Sequence, residues 1–133
     1  MSDPFWVLDS GALVAYSHGV DSVGQLLVDV ADAEVTVAVP VVCLVEAYSM
    51  LHHSEHRLLR MLRRNPYVQT VTLASDLDGA DDCPGVGTMA RIAGRLGAGH
   101  CAYLALTNAA GVVTARPDQI RSVLGEKWEI VQV

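Results

Sequence analysis

The sequence predicts a single α/β domain with a central, mostly parallel sheet of four to five strands flanked by helices. Two observations carry this. Short apolar runs alternate with longer stretches of helical periodicity, and those stretches are long enough for right-handed crossovers. The chain has 133 residues, 51% of them hydrophobic, which suits one core over 1–133 and leaves little room for a second. With 5% aromatic residues, that core must be built mainly from Val, Leu and Ala.

The elements follow in order. "FWVLD" predicts a buried strand at 5–8, and "SGALVAYSH" a short helix with Asp9 or Ser10 near its N-cap. Residues 21–34 repeat Val23, Leu26, Leu27 and Val30 at helical spacing despite Gly24. "VTVAV", 35–39, is a second strand stopped by Pro40. "VVCLVEAYSMLHH" and "SEHRLLRMLRR" predict two helical pieces with Ser54 as N-cap between them, and 68–73 a third strand. "ASDLDGADDCPGVG" is acidic and turn-rich, so a loop is expected. "VGTMARIAGRLG" and "HCAYLALTNAAG" predict helices separated by the glycines of 97–99. A short strand at 112–114, a helix from Pro117 to Gly125 and a last strand in "WEIVQV" complete the chain.

A net charge of −6 argues against a general basic coat for nucleic acid, though not against a local basic patch. Cys43, Cys83 and Cys101 are scattered and odd in number, which suits a reducing cytoplasm better than a disulfide scaffold. "MSDPFW" does not read as a secretory signal, and no segment has the uninterrupted length of a membrane span. A cytoplasmic protein is the expectation.

Ligands of parallel α/β sheets usually bind beyond the carboxyl ends of the strands. Asp9 ends one strand, Glu46 lies a few residues past a second, and Thr114 ends another. These three, far apart in sequence, are expected to meet at one rim. For Asp9 the plainer role is helix capping; for Glu46, set in "CLVEAYSML", it is a partly exposed helical position.

"VLDSGALVAY", "VPVVCLVEAYSML" and "HCAYLALTNAAGVVTARPD", in that order, resemble the PIN-domain nucleases, particularly the VapC-type toxins of bacterial toxin–antitoxin pairs. The resemblance runs over nearly the whole chain. It implies a metal-dependent endoribonuclease in which acidic side chains hold Mg²⁺ or Mn²⁺ and the metal activates water to cut RNA. By that resemblance Asp9 is the first acid, Ser10 the hydroxyl beside it and Glu46 the second acid. A homodimer and a small antitoxin protein covering the site are implied with it.

The third motif departs from the family pattern. Where the family usually carries an aspartate at the head of a helix, this chain has His100, and where it often carries another acid, two residues past Thr114, this chain has Arg116. His100 remains a potential third ligand, in a set better suited to Mn²⁺ than to Mg²⁺. Arg116 is expected to pair with the rim acids and lower their pKa values, or to contact an RNA phosphate. The alternative that these replacements support is a catalytically degenerate PIN domain acting as an RNA- or protein-binding module.

Elsewhere, Arg57, Arg60 and Arg64 share a helical stripe opposite Leu58, Leu59 and Leu62. It reads as a solvated face, an RNA-backbone track or a docking surface for an acidic partner. His52 and His56 stand four apart without an evident third metal ligand, and the glycines of "GVGTMARIAGRLGAG" lack the context of a phosphate loop. Cys43 and Cys101 are expected to be buried structural thiols.

Overall fold

The computed structural model describes residues 4–133; the start of "MSDPFW" lies outside the described residues. The strands are β1 (Pro4–Leu8), β2 (Thr36–Pro40), β3 (Val68–Val71), β4 (Gly111–Thr114) and β5 (Ile130–Gln132). The helices are α1 (Ser10–Ser17), α2 (Asp21–Asp32), α3 (Val41–Met50), α4 (His56–Arg64), α5 (Cys83–Ala93), α6 (Leu96–Asn108) and α7 (Pro117–Leu124). All strand pairs are parallel, in the order β3-β2-β1-β4-β5. The fold class expected from the sequence is therefore the observed one.

The strand order positions the site. From β1 the chain winds one way to β2 and β3, and later the other way to β4 and β5, so the switch lies between β1 and β4. There Val7 pairs with Val112 and Leu8 with Val113, and the Asp9 amide donates to the Val113 carbonyl at 3.1 Å. Val7, Leu8, Val37, Val39, Val112 and Val113 are fully buried, as expected for central strands covered on both faces.

Two local expectations are corrected. Residues 97–99 do not separate the α5 and α6 helices; they lie inside α6. The break falls at Gly94, which adopts φ +89° and donates to the Ala90 carbonyl at 2.8 Å, followed by Arg95 in an extended conformation. Gly97 and Gly99 stay helical because their missing side chains permit close approach. A Cβ at Gly99 would lie 2.5 Å from the Ala90 backbone, where α5 and α6 touch. Ser54 is not the N-cap before α4 either; it sits within a 3₁₀ turn, His53–Glu55, entered at His52, whose amide donates to the Glu55 carboxylate at 2.9 Å.

Candidate functional site: an acidic rim closed by an arginine

Asp9 follows the last residue of β1 and is 1% exposed. Its Oδ1 accepts from the Ala12 amide at 2.9 Å, capping α1, and its Oδ2 accepts from the Thr114 hydroxyl at the end of β4. The Thr114 hydroxyl also accepts from the Arg116 amide at 2.9 Å, which fixes its orientation. Burial raises the Asp9 pKa above its ordinary 3.8; the Thr114 hydroxyl, the Ala12 amide and the charge of Arg95 oppose that rise without cancelling it. Gly11 keeps this corner tight, since a Cβ there would lie 2.7 Å from the Ala115 Cβ.

Glu46 projects from the second turn of α3 and reaches the amino end of α6. Its Oε1 accepts from Arg95 Nη1 at 3.0 Å and its Oε2 from the Gly97 amide at 3.3 Å. Arg95, at the N-cap of α6, supplies no cap to its own helix, so a carboxylate from another helix meets the free amides there. Gly97 makes this approach feasible, because a Cβ would sit 2.6 Å from Glu46 Cδ.

Arg95 ties the pieces together. Its Nη1 donates both to Ser10 Oγ and to Glu46 Oε1, and its Nη2 donates to Gln119 Oε1 on α7 at 3.1 Å. Ser10 is fully buried, while Arg95 and Glu46 keep about a quarter of their side chains exposed. A small cleft of about 160 Å³ opens on this cluster, lined by Asp9, Gly11, Met50, Arg95, Ala115 and Arg116. Sequence reasoning missed Arg95. The signal available was an arginine set among glycines in "AGRLGAG", where a turn into a helix offers both an extended backbone and uncapped amides.

Thus the rim brings Asp9, Ser10, Glu46 and Thr114 together, as expected. His100 is not at the head of its helix: α6 begins at Leu96, and His100 is fully buried a turn later, with neither ring nitrogen hydrogen-bonded. Burial lowers its pKa, and the carboxylate whose charge opposes that shift is Asp82, not Asp9 or Glu46. Arg116 lines the cleft but is exposed and, among the described residues, its side chain forms no ion pair with the rim acids. The cation expected from Arg116 is supplied by Arg95, and the Asp9 pKa moves up, not down as anticipated, because burial outweighs the pairing.

The donor set fits a divalent ion poorly. Among the described residues no three His, Cys, Asp or Glu side chains converge as a metal-holding group. The two rim carboxylates have each oxygen engaged by a protein donor, and a guanidinium lies between Ser10 and Glu46. A positive charge there opposes binding of a second.

Away from the rim, Arg57, Arg60 and Arg64 are exposed on α4, a helix with no acidic residue, and Arg63 lies over the Tyr48 ring, 5.9 Å from its centroid. Two clefts meet at Tyr16 between α2 and α4. One, about 570 Å³, is lined by Tyr16, Met61, Arg64, Asn65 and Tyr67 among others; the second, about 440 Å³, includes Val20, Asp21, Val28 and Leu58. Cys43 and Cys101 are fully buried, and the Cys43 thiol donates to the Gly97 carbonyl at 3.0 Å. No described helix is long and apolar enough to cross a membrane. No protein-family model and no curated protein sequence matches the chain.

Proposed function

We propose that this chain is a PIN-type domain that works as a cytoplasmic binding module, its nuclease rim having lost the capacity for metal chemistry. The observation that carries this is the guanidinium of Arg95 on the rim: it neutralises Glu46, holds Ser10, and opposes a divalent cation beside Asp9.

The surface that suits a partner is the groove between α2 and α4. The groove combines Tyr16 and Tyr67 with the half-exposed Val28 and Met61, and Arg64 of α4 lines it, with Arg57 and Arg60 exposed on the same helix. An apolar segment with acidic flanks, laid into that groove, matches both features better than RNA does. Asp21 lines the second cleft, and the chain is acidic overall. A small protein partner of the antitoxin kind meets that description, and a homodimer is proposed alongside it from the resemblance.

A second reading, a metal-dependent endoribonuclease of the VapC toxin type, is favoured by one observation. Asp9 is buried against the preference of its own carboxylate, at the switch of strand order and beside Ser10, Thr114 and Glu46. Active sites hold such unfavourable groups where function requires them. An RNA-cleavage assay in Mn²⁺ and in Mg²⁺ separates the two. The binding module predicts no cleavage above that of Asp9→Ala, whereas Asp9-dependent cleavage would overturn it in favour of the enzyme.

A further inference from the structure

We infer that Arg95 is the resident cation of this rim: its Nη1 stands in the place of a divalent ion between Ser10 and Glu46, on a cleft that Asp9 also lines, and its removal opens a Mn²⁺ site. This rests on the binding-module reading and goes beyond it, because it names the side chain that occupies the cation's place.

The geometry of the guanidinium is the argument. Arginine usually meets a carboxylate with two parallel N–H bonds. Here a single nitrogen, Nη1, serves both the Ser10 hydroxyl and Glu46 Oε1, while Nη2 is spent on Gln119 and Nε is buried without a partner. A planar fork is being used as a point charge, and an unsatisfied buried donor is the cost of that use. The oxygens around Nη1 are a hydroxyl and a carboxylate, and Asp9 lines the same cleft as Arg95. Hard cations take such oxygen ligands.

Loss of Arg95 leaves enough to hold an ion. Magnesium-like ions keep several waters and need only one or two carboxylates from the protein. Glu46 Oε1 becomes free, and Asp9, with about four lone-pair directions on its carboxylate, keeps one beyond those facing Gly11, Ala12 and Thr114. The adjoining cleft of about 160 Å³ has room for waters. Neither helix depends on Arg95 for its cap: α5 is closed by Gly94 and the α6 amides are met by Glu46.

The test is a calorimetric Mn²⁺ titration of the whole chain as wild type, Arg95→Met and Arg95→Met/Glu46→Gln, each with a thermal melt to confirm folding. We expect Arg95→Met to bind Mn²⁺ at least tenfold more tightly than wild type, with the gain absent from the double variant. Arg95→Gln, which keeps a donor for Ser10 but no charge, should show the same gain and serves if Arg95→Met does not fold. Folded single variants with wild-type affinity would overturn the inference, as would failure of both to fold at any Mn²⁺ concentration. Folding restored by Mn²⁺ would support it. Asp9-dependent RNA cleavage by wild type would sink the binding-module reading without touching the affinity comparison, and an unchanged affinity in a non-cleaving protein would do the reverse.

Discussion

At Asp9 one side chain answers two demands. It caps α1 through the Ala12 amide, and it places a carboxylate at the rim where burial disfavours its charge. With its folded pKa above 3.8, the native state binds the proton more tightly than the unfolded chain does. Stability therefore falls as pH rises from 3.8 through the folded value, and the whole penalty persists at neutral pH. Asparagine keeps an acceptor for Ala12 and removes the charge. Asp9→Asn should accordingly raise the thermal midpoint at pH 7 and remove the part of its pH dependence that lies just above pH 3.8. A lower midpoint by scanning calorimetry would mean that pairing with Arg95 outweighs burial. His100 has the opposite profile. Its folded pKa lies below 6.5, so the unfolded chain takes the proton first; stability is full above 6.5 and is lost as pH falls from there through the folded value. Replacing His100 with Leu, of similar volume, should flatten the pH dependence of the urea midpoint below 6.5. An unchanged slope would assign that dependence to other groups.

Among the elements, α6 decides most of the site, and its start was the least legible part of the sequence. Three glycines within six residues, Gly94, Gly97 and Gly99, all look like turn formers when only local propensity is weighed. Tertiary contact separates them: Gly94 turns the chain, Gly97 admits Glu46, and Gly99 lets α5 lie against α6. Partners so distant in sequence leave no local mark, so the sequence alone points to His100 as the head of a helix that starts at Leu96. Strands with continuous apolar runs, by contrast, announce themselves, and so does the cap at Asp9. Glycine-to-alanine changes test this division. Gly99→Ala should cost about 1–3 kcal/mol or more by overpacking, and Gly97→Ala should lose the Glu46 contact and with it about 1 kcal/mol of capping. Gly24→Ala, where nothing lies within 4 Å of a built Cβ on α2, should gain up to about 1 kcal/mol of helix propensity. Urea unfolding reads all three, and equal losses would contradict the assignment.

Across the molecule, the order β3-β2-β1-β4-β5 explains how residues 9, 46 and 114 come to share one rim. The sequence made the meeting of Asp9, Glu46 and Thr114 legible, because each ends or follows a strand. Arg95 follows no strand; it arrives across the α5–α6 turn, and only the packed fold brings it to the acids. Charge is also divided at this scale. The chain is acidic overall, yet α4 carries exposed arginines and its Arg64 lines the groove, so the proposed partner surface is distinct from the rim. Reversing Arg57, Arg60 and Arg64 to Glu should therefore leave the thermal midpoint within about 2 °C, as for exposed charges, while abolishing affinity for a partner with acidic flanks. At every scale the native rim is closed to divalent ions by its own arginine. A calorimetric Mn²⁺ and Mg²⁺ titration of wild type beside Glu46→Gln tests it most directly. A closed rim gives no saturable binding up to millimolar metal in either protein; binding in wild type that disappears in Glu46→Gln would mean that the rim is open.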